Sequence, residues 1–150
     1  MHDATPGDIR SEEAKGILKL CARWRVDFLL NGHSCEYQAS LIAPSALNYP
    51  AHVERGMECV QKVNAALYEA ALRTAPAGVP KPSTTLNLNT MATMCSGCLA
   101  LTLECSVSYD NPKTPKLTFT FDQLMKPNFV VLKTLLKEGL EKPFVDRSKF

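Results

Sequence analysis

The chain has 150 residues, of which 45% are hydrophobic and 21% charged, and its formal net charge is +2. These values are typical of one soluble globular domain, and nothing in them favours nucleic acid or an anionic membrane as a partner. The apolar stretches are too short to span a bilayer, and residues 1–5 have no feature of a secretory signal. Six cysteines scattered over a chain of this size favour a reduced, cytoplasmic setting: Cys21, Cys35, Cys59, Cys95, Cys98 and Cys105.

The first predicted elements are a helix and a strand. Ser11 is a suitable N-cap, acidic residues follow it, and apolar residues then recur at helical spacing, which predicts a helix over 11–23. The next apolar run predicts a strand over Val26–Asn31, after which the chain presents His33. A helix followed by a strand is half of an α/β repeat.

The middle of the chain is expected to be mainly helical. A loop over 34–50 precedes a long helix over 51–74, whose inward face is formed by apolar residues at helical spacing: Val53, Met57, Val60, Val63, Leu67, Ala70 and Ala71. The proline-rich segment 75–83 ends this helix. The alternation over 84–89 predicts a half-buried strand, followed by a short helix or turn that ends at Gly97.

The last third contains two predicted strands and a helix. Leu99–Glu104 is almost continuously apolar, which is typical of a strand buried on both faces. Lys116–Phe121 alternates like an edge strand. The final helix is expected to have Pro127 near its first turn, Gly139 past its end and an apolar inward face formed by Phe129, Leu132, Leu135 and Leu136.

Together these elements predict an α/β fold in a single domain over residues 1–150. The expected architecture is a mixed, mostly parallel sheet with helices on both faces.

Two of the predicted strands lead to residues that can carry chemistry, His33 and Glu104. A carboxylate at the end of a buried strand costs free energy unless it is paired, coordinated or solvated. If the two strands are parallel neighbours, both residues open onto one edge of the sheet, where open α/β sheets bind ligands. His33 is then a candidate metal ligand and Glu104 a candidate general base. The alternative is an ordinary strand followed by a loop.

The segments SEEAKGILKLCARWRVDFLLNGHS and GCLALTLE resemble the C-terminal half of a zinc carboxypeptidase of the carboxypeptidase A type, in the M14 superfamily. In that family one strand ends in His-Ser, whose histidine is the third zinc ligand, and a later strand ends in a glutamate that acts as general base or acid. The resemblance assigns these roles to His33 and Glu104 and covers about residues 6–144. It implies zinc as cofactor and hydrolysis of a C-terminal peptide bond, on a peptide or acyl-amino-acid substrate.

In that family the first zinc motif, His-x-x-Glu, lies far upstream of the third ligand, whereas only 32 residues precede His33 in this sequence. The arginines that bind the substrate carboxylate belong to the same upstream half, and residues 83–103 contain no tyrosine to match the family's mobile one. A catalytic zinc site needs three protein ligands. The chain is therefore expected to be an incomplete domain that is inactive without a complementing chain or a second subunit.

Two other interpretations of the same residues remain open. Cys95 and Cys98 have the C-x-x-C spacing of zinc and redox sites, but there is no second such pair, and a strand follows the motif. These two thiols could converge with His33, Cys35 and Cys105 on one sheet edge and bind zinc, or all the thiols could simply pack at strand ends. Elsewhere, Glu36 and Tyr37 are candidates to line a pocket, and His52 is expected at the surface.

The function also has alternatives. The chain could be a non-catalytic module that pairs through an exposed sheet edge, either with itself or with another chain. A close variant of the hydrolase is a related deacylase that acts on small N-acyl amino acids.

Overall fold

The computed structural model describes residues 11–35, 40–42, 50–72, 87–106 and 121–147. For residues 33–35, 40–42, 104–106 and 123–124 the description is limited to the backbone. Within these ranges the elements in chain order are α1 (Glu12–Trp24), β1 (Phe28–Cys35), β2 (Ser40–Ile42), α2 (Pro50–Glu69), α3 (Leu88–Ser96), β3 (Leu99–Ser106) and α4 (Phe121–Glu141). This mixture of helices and strands confirms the α/β class.

The described strands form one small mixed sheet in the order β1-β3-β2. The central strand β3 pairs with β1 in parallel and with β2 in antiparallel orientation. The sheet is mixed, as expected. Because one pairing is parallel and the other antiparallel, the described strands do not show a mostly parallel sheet.

The core lies on both faces of β3, as the apolar run at 99–104 predicts. Leu99, Leu101 and Leu103 pack into a cluster with residues of α2 and α4, while Ala100 packs into a second cluster with residues of α1 and α3. Successive residues of a strand point to opposite faces, so β3 separates two layers of helices. Helices therefore cover both faces of the sheet, as expected.

The first helix and strand follow the sequence signals closely. The hydroxyl oxygen of Ser11 accepts a hydrogen bond from the backbone N–H of Ala14 at 3.3 Å, which caps α1. Arg25 ends the helix in the left-handed conformation, with φ of 47°. The strand that follows begins at Phe28 and extends to Cys35, later than the predicted Val26–Asn31 at both ends.

The strand predicted over 84–89 is wrong in its described part, because α3 begins at Leu88. The side-chain oxygen of Asn87 accepts hydrogen bonds from Thr90 N (3.0 Å) and Thr90 Oγ1 (2.8 Å), which is an N-cap. The helix then ends at Gly97, as predicted, because this glycine adopts a φ of 71°.

The prediction for the final helix is wrong in three respects. It begins at Phe121, inside the predicted edge strand 116–121, whose other residues lie outside the described ranges. Pro127 and Gly139 both lie within the helix. Of the four expected inward residues only Leu135 is buried, whereas the other three are exposed: Phe129, Leu132 and Leu136.

A buried ion pair with α2 explains why α4 turns a different face to the core than the sequence predicts. Arg55 Nη1 donates to Glu138 Oε1 at 2.5 Å, and both side chains are at least 93% buried. Lys62 donates to the other oxygen of the Glu138 carboxylate. A buried carboxylate needs such partners, so Glu138 points inward together with Val131 and Leu135.

The long helix α2 ends at Glu69, earlier than the predicted Thr74. Three of its predicted inward residues form part of the core: Val60, Val63 and Leu67. None of the helices in the described ranges combines the length and apolar character needed to cross a bilayer.

Candidate functional site

His33 and Glu104 are backbone partners on neighbouring parallel strands, β1 and β3. The two residues were expected to meet if their strands are parallel neighbours, and this condition is met. Both lie near the carboxyl ends of their strands, but neither ends one, because the pairing continues to Cys35 and Ser106. His33, expected directly after its strand, therefore lies within β1.

A buried side-chain network lies directly before this pair. Asn31 and Thr102 are register partners two residues upstream of His33 and Glu104. Asn89 bridges them: its Oδ1 accepts from Asn31 Nδ2 at 3.1 Å, and its Nδ2 donates to Thr102 Oγ1 at 2.6 Å. Because Asn89 is buried, each of these bonds avoids the cost of an unsatisfied polar group.

This network fixes the direction of α3 relative to the candidate pair. Asn89 is in the first turn of α3, while the last residues of that helix lead through Gly97 into the start of β3. The helix therefore runs antiparallel to β3, and its N-terminus lies towards the strand ends that carry His33 and Glu104. Asn89 was not among the predicted site residues, although the N-cap pattern Asn87-x-x-Thr90 was a usable signal for the helix start.

The cysteines do not converge on this edge. Cys95 is in the last turn of α3 and Cys98 directly precedes β3, so both lie at the amino end of that strand. Cys105 lies near its carboxyl end, seven positions after Cys98, which corresponds to roughly 23 Å along a strand. The alternative in which Cys95 and Cys98 join His33, Cys35 and Cys105 in one zinc site therefore does not fit this geometry.

The alternative was that the thiols simply pack in the interior. Among the described cysteine side chains, those of Cys21, Cys59 and Cys98 are buried and fit it. Burial raises the pKa of the Cys21, Cys59 and Cys98 thiols. A buried neutral thiol behaves as a small apolar residue and is a poor nucleophile. Only Cys95 is exposed among the described cysteine side chains.

The amino end of the sheet is held by structural contacts. His52 is buried, contrary to the expected surface position, and its Nε2 lies 2.9 Å from the carbonyl oxygen of Gly97. Arg147 donates to the carbonyl oxygens of Ser96 and Val26, each at 3.0 Å. A cavity of about 390 Å³ opens beside His52 at this end of the molecule.

The sequence also contains a pattern that the sequence analysis overlooked: His33-Ser34-Cys35-Glu36 itself has the spacing His-x-x-Glu. Residues three apart in a strand point to opposite faces, and β1 continues through Cys35. A His-x-x-Glu spacing in a strand therefore does not by itself place both residues on one face. Glu36 and Tyr37, the candidate pocket residues, lie outside the described ranges.

Among the residues with described side chains, no group of three His, Cys, Asp or Glu could hold a metal ion. His33 and Glu104 are outside that set. The sequence matches no protein-family model, and neither the curated proteins nor the solved structures contain a match to it.

Proposed function

We propose that this chain is the C-terminal part of a zinc metallohydrolase of the carboxypeptidase type. It contributes His33 as one zinc ligand and Glu104 as the proton-transfer carboxylate, and it is inactive alone. The observation that supports this most directly is the register pairing of these two residues on parallel strands. The proposal includes a larger, mostly parallel sheet of which the β1–β3 pair is one part.

A zinc ion bound at this edge would polarise the scissile carbonyl and lower the pKa of a bound water. In the proposed reaction, Glu104 accepts a proton from the attacking water and delivers it to the leaving amine. Asn89 acts as a positioning residue, because its side chain ties α3 to both strands.

The donor set fits zinc in kind but is incomplete in number. The imidazole of His33 is a zinc-binding group, but a catalytic site requires three protein ligands. The proposal therefore assigns the remaining ligands to a complementing chain or a second subunit. The substrate is a C-terminal peptide bond or a small N-acyl amino acid.

The chain's three histidines allow a direct test by NMR, with His2 and His52 as internal controls. Titration with Zn²⁺ should shift the imidazole signals of His33 while leaving those of His52 in place, and His33→Ala should abolish the response. Glu104→Gln should retain zinc binding, because Glu104 is proposed as a base and not as a ligand. A His33 signal that ignores Zn²⁺ at concentrations that shift the lone imidazole of His2 would refute the proposed ligand.

A second candidate function is assembly through the edge of the sheet. The observation that favours it is that β1 is an edge strand of the described sheet and is eight residues long. Such an edge can recruit another strand through its unpaired backbone groups. A stable homodimer without metal, measured by sedimentation and elemental analysis, would favour this function over the hydrolase.

A further inference from the structure

The solvent side of α4 carries an apolar stripe that the described core does not use. Five large side chains on this helix are 44–89% exposed: Phe121, Phe129, Leu132, Leu136 and Leu140. The half-buried Met125 fills the gap between the two phenylalanines, so that the six residues recur at spacings of three or four. The exposed residues form one row along the helix, whereas singly scattered hydrophobic residues are the usual pattern on a monomer surface.

This stripe lies beside the face of α4 that packs on α2 and is distinct from it. Val131 and Leu135 provide the buried apolar contacts of α4, and Glu138 provides the ion pair with Arg55. The geometry of α2 and α4 is therefore satisfied without the exposed stripe. An amphipathic helix normally has one apolar face, whereas α4 has two adjacent ones.

A row of lysines runs along the outer flank of the stripe. Lys126, Lys133 and Lys137 are all exposed. At 100° per residue they lie within about 40° of one another, next to the stripe on the side away from α2. An apolar seam with charge along one flank is the pattern by which helices select a partner of opposite charge.

We propose that this surface, the α4 stripe with its lysine flank, binds an amphipathic helix of another protein. The partner helix presents an apolar seam to the stripe and carboxylates to the three lysines. This inference does not depend on the proposed hydrolase function.

The charges beside the stripe disfavour two other binding partners, a second copy of this chain and an anionic membrane. If two copies of α4 paired antiparallel along their full length, the lysine flanks would face each other, and like charges in contact disfavour association. An anionic membrane would meet two exposed carboxylates, Asp122 and Glu141, at the ends of the same flank. A partner helix can place its own charges to suit both the lysines and these carboxylates.

Two synthetic peptides test the proposal. Both are helical with a leucine seam, and they differ only in carrying glutamates or lysines along the flank. Fluorescence anisotropy should show at least tenfold tighter binding of the glutamate peptide. Leu136→Asp should weaken this binding at least tenfold, and the triple variant K126E/K133E/K137E should reverse the preference. Leu20→Asp, which changes an exposed leucine of α1, is the matched control and should have no effect.

Four outcomes would overturn the proposal. Equal binding of both peptides, or no binding of either, would show that the flank selects nothing. Self-association of the chain that Leu136→Asp abolishes, seen by analytical ultracentrifugation, would assign the stripe to a second copy. Binding to phosphatidylserine vesicles that the same substitution abolishes would assign it to a membrane. Circular dichroism of each variant checks that the helices are intact.

Discussion

Arg55 and Glu138 form a buried ion pair that joins α2 to α4, with Nη1 and Oε1 2.5 Å apart. Arg55 also donates to Glu58 and to the carbonyl oxygen of Lys142, each at 3.0 Å. Its buried Nε, by contrast, has no hydrogen-bond partner among the described residues. The arginine thus fixes three segments of the chain while leaving one of its own donors unsatisfied.

Replacing Glu138 should be strongly destabilising, because it leaves the buried charge of Arg55 uncompensated. We expect Glu138→Gln to lower the free energy of unfolding by about 3 kcal/mol. The exposed Glu141→Gln, one turn away in the same helix, should change it by less than about 0.5 kcal/mol. Urea denaturation of both variants measures the difference, and equal values would contradict this account of the α2–α4 interface.

Removing both charges should be far less harmful than removing one. The double variant R55M/E138L replaces the ion pair by apolar contacts and also removes the unsatisfied Nε, so it should recover most of the stability lost in Glu138→Gln. A double variant as unstable as the single one would show that the hydrogen bonds of Arg55 to Glu58 and Lys142 matter more than the pair.

Stability should fall in acid because of the same cluster. Burial would raise the pKa of Glu138, but hydrogen bonds from Lys62 and Arg55 outweigh it and hold the pKa below its usual value of 4.5. Lys142 and Arg55 likewise lower the pKa of Glu58. The unfolded state therefore binds more protons in this range, and the stabilisation, complete above about pH 4.5, is lost as the pH falls through the lowered values. Urea midpoints between pH 3 and 6 should show a shallower slope for Glu138→Gln than for the wild type.

Two helical glycines should respond to alanine in opposite directions. Gly16 in α1 has open space around the position of a Cβ, so Gly16→Ala should stabilise the protein by about 0.5–1 kcal/mol. A Cβ at Gly139 would clash with the ring of Phe144, 2.9 Å from Cζ. That ring is stacked on Phe28 with centroids 4.3 Å apart, so it has little freedom to move. Gly139→Ala should therefore cost about 1–3 kcal/mol, and a gain in thermal stability would contradict the packing.

The Asn89 network should hold the candidate site in register. Asn89→Ala removes both bridging hydrogen bonds and should cost about 1–3 kcal/mol. Asn87→Ala removes only the cap of the same helix and should cost about 1 kcal/mol. Hydrogen exchange distinguishes the two roles, because only the first change should speed exchange of the amides near His33. Equal effects there would mean that Asn89 merely stabilises α3.

Local signals in the sequence were enough for α1 and for the buried strand β3. Ser11 and the two glutamates after it mark a helix start, and a continuous apolar run has few alternatives to a buried strand. The alternation before Asn89 was misleading, because leucines separated by one polar residue fit a strand or the start of a helix equally well. The side-chain hydrogen bonds of Asn87 to Thr90 favour the helix.

Other features depend on contacts between distant parts of the chain. In α4, two adjacent apolar stripes competed for the core, and the choice follows from Glu138 meeting Arg55, 83 positions away in sequence. The three-residue strand β2 was missed because it is too short to carry a pattern and is defined by its pairing with β3. The parallel pairing of His33 with Glu104 was predicted only for the case that their strands are neighbours. No local sequence signal sets the register between strands so far apart in the chain.

The position of β3 between β1 and β2 has a consequence for the order of folding. Only residues 36–39 separate the first two strands, whereas β3 begins at Leu99, yet in the folded chain β3 lies between them. Contacts between residues far apart in sequence, such as those of β1 with β3, form slowly. In addition, a transient β1–β2 hairpin would have to open before β3 could insert. Pulse-labelling during refolding should accordingly find the amides of α1 protected before those of β3. The edge that carries His33 and Glu104 would then be among the last parts of the molecule to form.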